Sequence, residues 1–316
     1  MRRLVVCATG DLAIPVLEGV VEAGHELSRL IAQPARGREE VSLLEERQGS
    51  ALASWAKRRK VEVRRTKEPG GDRTRAWLET ADADLGLVVA FGRRFPTSLL
   101  DVPRHGWIKV HFSLLPKHRG LHPIRAALWH GDRQTGATAI RVTEEPDAGP
   151  ILLQEKLTVE DGETFGELAP RVAALAADLV VPAIRRGTSK SPKVRQQNEK
   201  KATTSPRFGR RHRHAPWWLE ARSVADRLRA LSPDPGMTTR VGGQVVRILQ
   251  GAPADHLDST LGEAGSYLGL RSGAMVILCG AGTTFTIGRL QPEGERALSA
   301  SRYVRERGLR VGTVLV

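Results

Sequence analysis

Leu4 to Ala8 is an unbroken apolar run, too short for a helix and lacking the alternation of a strand with one wet face. Such a run marks a strand buried on both sides, as in a parallel sheet covered by helices on its two faces. The next residues follow the same plan. Asp11 to Ala23 carries Leu12, Val16, Leu17, Val20 and Val21 at helical spacing and stops at Gly24, a residue suited to close a helix. Leu27 to Ala32 is a second strand, and Asp84 to Ala90 is another unbroken apolar run. This β-α-β opening predicts an α/β fold with a doubly wound, mostly parallel sheet. Helices over 50–59, 72–79 and 164–186 and a strand over 61–64 belong to the same pattern. The first turn, Ala8-Thr9-Gly10-Asp11-Leu12-Ala13, lacks the glycine fingerprint of a dinucleotide site.

The 316 residues suffice for two domains, each with its own core. They carry 49 Lys and Arg against 35 Asp and Glu, a formal charge of +14. An excess of that size suits a polyanionic partner, nucleic acid first and an anionic membrane surface second. Cys7 and Cys279 lie far apart and neither belongs to a CxxC pair. Neither a zinc site nor a disulfide framework is expected, in keeping with a reducing, cytoplasmic compartment. Met1-Arg2-Arg3 precedes too short an apolar run for a signal peptide, and no stretch reaches the ~20 apolar residues of a membrane span. The expectation is a cytoplasmic monomer with no metal.

The charge is concentrated. Between Arg185 and His214 stand eleven Lys or Arg against one acid, Glu199, with few apolar residues. A segment of this composition has little with which to bury itself and reads as a surface linker. The cluster Arg210, Arg211 and Arg213 favours contact with phosphates. Beyond it, 216–231 reads as an amphipathic helix with Trp218, Ala221, Val224, Leu228 and Leu231 near one face. Short strands over 238–241, 244–249, 265–270, 273–278, 283–290 and 311–316, with glycine turns and a short helix over 299–307, predict a small OB-like β-barrel.

The richest stretch for chemistry is Trp107 to Thr158. Trp107 to Phe112 reads as a strand that delivers His111 to a turn, and Ser113 to Gly120 as a backbone-rich loop stiffened by Pro116. A helix over 122–131 follows. A strand over 138–142 then runs into the turn carrying Asp147, and 151–157 runs back out. An imidazole and a carboxylate at two strand ends can share one cleft, an arrangement suited to acid–base work.

This run closely resembles the folate-dependent formyltransferases, whose signature is Asn-x-His, Ser-Leu-Leu-Pro, Arg-Gly and a later Asp-x-Gly. Val110-His111, Ser113 to Pro116, Arg119-Gly120 and Asp147-Ala148-Gly149 match, while Lys109 stands where the family has asparagine. Leu290 to Gly294 and Gly308 to Gly312 resemble the C-terminal domain of the methionyl-tRNA members, so the likeness spans nearly the whole chain. It implies a catalytic domain over 1–188, a basic linker over 189–214 and an RNA-binding barrel over 215–316. The implied reaction takes the formyl group of 10-formyltetrahydrofolate to the amino group of initiator methionyl-tRNA, in translation initiation. His111 and Asp147 would be the chemical pair. Ser113, Leu114, Leu115 and Pro116 would line the folate pocket, with Phe91 and Gly92 as further walls. Arg36 and Arg38 would lie on the loop that meets the tRNA acceptor stem. Lys109 leaves three outcomes open: it substitutes for the amide, it cripples the enzyme, or it marks a chain that binds without transferring formyl. A non-catalytic RNA-binding protein and a formyltransferase for another amine are the rival readings.

Overall fold

The computed structural model describes residues 1–33, 50–254 and 262–316. The chain divides into two units, one comprising 1–127, 133–160 and 167–207, the other 128–132, 161–166 and 208–316.

The first sheet is built from β1 (Arg3–Ala8), β2 (Glu26–Ala32), β3 (Glu62–Arg65), β4 (Leu85–Val89), β5 (Trp107–His111), β6 (Gln134–Arg141) and β7 (Ile151–Thr158). Its helices are α1 (Ala13–Glu22), α2 (Ser50–Arg58), α3 (Asp72–Glu79), α4 (Pro123–Trp129) and α5 (Phe165–Gly187). The strand order is β3-β2-β1-β4-β5-β6-β7. The first five strands are parallel, and β6 and β7 are added antiparallel. The two apolar runs of the sequence became β1 and β4, at the centre of this order and buried on both faces. The chain winds outwards in both directions from these strands, and sheets of this kind place functional groups at the carboxyl ends beside such a reversal. The β4–β5 register pairs Val89 with Val110, so His111 emerges next to the loop that follows β4.

The second unit holds α6 (Ala221–Leu231), then β8 (Met237–Val241), β9 (Gln244–Ala254), β10 (Tyr267–Arg271), β11 (Ala274–Leu278), β12 (Thr284–Pro292), β13 (Leu298–Ser299) and α7 (Ala300–Arg307). The sheet is antiparallel, in the order β10-β11-β12-β9-β8, with β13 on β12. Gly242 and Gly243, at φ 56° and 85°, supply the two left-handed residues that a two-residue hairpin between β8 and β9 requires. The segment 311–316, expected as a strand, forms no continuous ladder. It joins both sheet edges instead. The Tyr267 amide donates to Thr313 and the Leu315 amide to Gly265, while the Val316 amide donates to Arg240 and Val316 accepts from the Arg240 amide. These bonds link β10 to β8 and close the sheet.

Two further expectations change. The helix starts at Ala221 rather than 216, and Trp218, placed by spacing on its buried face, is 69% exposed. The preceding residues form a Pro216–Leu219 turn, where helical periodicity has no meaning, and Trp217 is the buried ring. The segment 189–214 is not one linker. Through Arg207 it belongs to the first unit, bridging Arg195 to Ile151 and Thr204 to Arg119. Its composition reported a wet surface, but a segment with little to bury can still use its backbone for pairing.

Candidate active site

The strand pleat turns Lys109 and His111 to the same face of β5. Asp147 reaches that face from the turn after β6, in a left-handed conformation at φ 60°. The turn folds back so tightly that a Cβ at Gly149 would stand 1.8 Å from the carbonyl oxygen of Arg141. Only glycine closes it.

The three side chains meet around one carboxylate. The Gly120 amide donates to Asp147 Oδ2 at 2.9 Å. Lys109 Nζ lies 2.5 Å from Oδ1. His111 Nδ1 lies 3.8 Å from Oδ2, too far for a hydrogen bond. On the other side of the ring, His111 Nε2 is 3.0 Å from the His118 carbonyl oxygen. A carbonyl only accepts, so Nε2 carries the proton and Nδ1 is the open nitrogen.

Charge follows from this geometry. Burial opposes ionisation of Asp147, but the Lys109 ammonium, by charge and hydrogen bond, and the Gly120 amide favour the carboxylate, and the group lies at about 2. Burial pushes the His111 imidazole below its ordinary value; Asp147 opposes that shift and Lys109 reinforces it. Burial is the largest of these effects and, with the ammonium on its side, prevails over the carboxylate. Asp147 is ionised and His111 is neutral.

The loop from Ser113 to Pro116 is a fixed wall. The Thr138 hydroxyl donates to the Ser113 carbonyl at 2.6 Å and accepts from the Leu115 amide at 3.2 Å. Gln154 donates to the Leu115 carbonyl at 2.9 Å, Lys117 to Leu114 and Thr203 to Pro116. Every carbonyl of the loop therefore already accepts from the protein. Phe91, expected as a pocket wall, has its ring in the core with Val5, Cys7, Val88 and Trp107. Its carbonyl accepts from Gln33 Nε2 at 2.7 Å. Gly92 beside it is exposed at φ 63°. Arg36 and Arg38 lie outside the described residues. Arg210 and Arg211 are exposed, whereas Arg213 points its guanidinium at the carbonyls of Pro235 and Gly236.

Residues 5–184 match the family described as formyl transferase, and residues 212–308 match formyl transferase, C-terminal domain. The chain belongs to the formyl transferase family. Among its relatives is the methionyl-tRNA formyltransferase of Anaeromyxobacter dehalogenans strain 2CP-C, 33% identical and covering 98% of this chain and all of that one. That of Ruegeria pomeroyi is 34% identical over 96% of each chain. The fold is also similar to HypX from Aquifex aeolicus in complex with tetrahydrofolic acid, at TM-score 0.61 and 19% identity over 97% of this chain and 47% of that one. A sugar 3N-formyl transferase, WlaRD, in the presence of dTDP and 5-N-formyl-THF, gives TM-score 0.64 and 13% identity over 94% and 99%.

In this formyl transferase one residue beside the site escaped the sequence. Gln197 is buried and donates through Nε2 to the carbonyls of Asp147 at 2.7 Å and Gly149 at 2.8 Å. Its Oε1 accepts from Arg119 Nε and Nη2 at 3.2 and 2.8 Å, and Arg119 also pairs with Glu199. The available signal was Glu199 itself, a lone acid in a basic run, which is what a surface wanting one arginine partner would keep. Among the described residues no group of three or more His, Cys, Asp or Glu is placed to hold a metal ion. None of their helices is long and apolar enough to cross a membrane.

Proposed function

We propose that this chain transfers the formyl group of 10-formyltetrahydrofolate to the amino group of methionyl initiator tRNA. The observation that carries the reading is end-to-end likeness above 30% identity to proteins bearing that activity in their name, including the second unit. The site suits the chemistry. A neutral amine attacking a formyl carbon must lose a proton, and His111 Nδ1 is a neutral, unprotonated nitrogen whose other ring atom is pinned by His118. Asp147 fixes the charge beside it. The exposed Gly92 and the Ser113–Pro116 wall, flanking His111 from the loops after β4 and β5, are where the folate would lie, next to the Lys109 ammonium. The second unit would bind RNA, with Arg210 and Arg211 on phosphates and Arg213 holding its own turn. The net charge of +14 supports a polyanionic substrate. The setting is the cytoplasm.

Single-turnover formylation of methionyl initiator tRNA, with His111→Ala as the blank, tests this. Turnover well above the blank is expected. A natural protein that sits at the blank yet binds the tRNA with a steep salt dependence would make the chain an RNA binder instead.

A further inference from the structure

Formyl transfer puts negative charge on the formyl oxygen as the amine adds, and some preorganised group has to donate to that oxygen. Each of the three clustered side chains can be tested for the ability to do so. Asp147 is an ionised carboxylate and has no proton to give. The one proton of neutral His111 sits on Nε2 and is committed to the His118 carbonyl. Lys109 remains. Its ammonium has three N–H groups and is held against Asp147 Oδ1 as an ion pair at 2.5 Å. It is also the only one of the three with appreciable exposure, 23% of its side chain against 2% for Asp147 and 2% for His111. A substrate entering from solvent meets the ammonium first.

The stem length of lysine, longer than that of the asparagine the family has at this position, is what the geometry uses. Lys109 lies one pleat behind His111, and the four-carbon stem carries Nζ forward to the carboxylate at the end of the strand. Both Asp147 oxygens are then engaged, Oδ1 by the ammonium and Oδ2 by the Gly120 amide. The carboxylate serves as an anchor for the lysine and has no direct role left.

We infer that Lys109 is a catalytic residue of this chain: its ammonium, anchored by Asp147, donates to the formyl oxygen, leaving the open Nδ1 of His111 to act as the base. The inference rests on the formyl-transfer reading above. The amine lone pair forms the new N–C bond, and the carbonyl π pair moves to the oxygen held by Lys109. The amine proton passes to His111 Nδ1. When the C=O bond re-forms, the bond to the folate nitrogen breaks, and that nitrogen takes the proton from His111. No oxidant or further reactant is needed.

The experiment compares the natural protein, Lys109→Met, and the double variant Lys109→Met/Asp147→Asn in single-turnover formylation with 10-formyltetrahydrofolate and methionyl initiator tRNA. His111→Ala is the blank. The double variant removes both charges together, so it does not strand a buried carboxylate and keeps the test independent of a folding defect. Circular dichroism confirms that each variant is folded. Both variants are expected to lose about a hundred- to a thousand-fold in rate, the usual effect of removing one such donor, with the KM for folate within threefold. A purely neutralising lysine would show the opposite pattern, with the double variant recovering to within threefold of the natural protein, and that result overturns the inference while leaving the function standing. Lys109→Met alone at the natural rate overturns it equally. A natural protein at the His111→Ala blank removes the functional reading and this inference with it.

Discussion

Gln197→Ala is the most informative single change. Asp147 occupies a left-handed conformation that costs a non-glycine residue about 1–2 kcal/mol. It stays there because donors meet the turn from outside. Gln197 supplies two of them, to the carbonyls of Asp147 and Gly149. Truncation leaves both acceptors short, at roughly 1 kcal/mol each. The bonds from Arg119 to Oε1 add little, because that guanidinium keeps Glu199 at the surface. The expected loss is therefore about 2 kcal/mol, read as a lower urea midpoint, together with faster hydrogen exchange at the Gly120 amide that Asp147 Oδ2 accepts from. A carboxylate displaced by ~1 Å also misplaces Lys109, so the formylation rate should fall by roughly 10- to 100-fold with little change in KM for folate. Gln197→Glu is the sharper control. It keeps an acceptor for Arg119 but has no N–H for the two carbonyls, and should do no better than alanine. A Gln197→Ala protein within about 0.5 kcal/mol and threefold in rate of the natural one would refute the reasoning.

Gly149→Ala should be far more damaging, because the new methyl group would overlap the Arg141 carbonyl oxygen, which is backbone; the variant should unfold earlier and lose formylation, and natural-like values for both would show that the turn has room. Acid should weaken the fold before it reaches the carboxylate range. Burial, with help from Arg125, lowers His122 from 6.5 to about 4, so the unfolded chain binds more protons below 6.5 and stability, complete above that pH, declines as pH falls towards 4. Between pH 7.5 and 5 the loss from His122 is about 2 kcal/mol, and His111, shifted in the same direction, adds to it; a urea midpoint unchanged over that range would contradict this. Burial pushes the Cys279 thiol up to about 12 and raises Cys7 as well, so neither should react with a thiol reagent at pH 8 in the native protein, while both should react in denaturant.

Much of this molecule is written in local pattern. The runs at Leu4–Ala8 and 84–90 declared central strands because only a strand covered on both faces tolerates unbroken apolar character. The glycine pair at 242–243 declared its hairpin because few other residues adopt that backbone. His111 and Asp147 could be picked out by their place in a signature, and the fold does bring them within 3.8 Å. Pattern fails where the partner is distant in sequence. Trp217 and Trp218 are the same residue type side by side, and only the packed second unit decides which is buried. The basic run 189–207 advertised charge and nothing about the Gln197 side chain wedged under the Asp147 turn, since an amide bonded to two carbonyls has no periodicity. Lys109 is the clearest case. Its identity alone left it a replacement, a defect or a remnant, because a flexible ammonium takes its meaning from where its partner stands. The tertiary structure supplies that partner by setting Asp147 Oδ1 2.5 Å away, which aims the lysine and holds its positive charge against the ionised carboxylate, beside the buried imidazole.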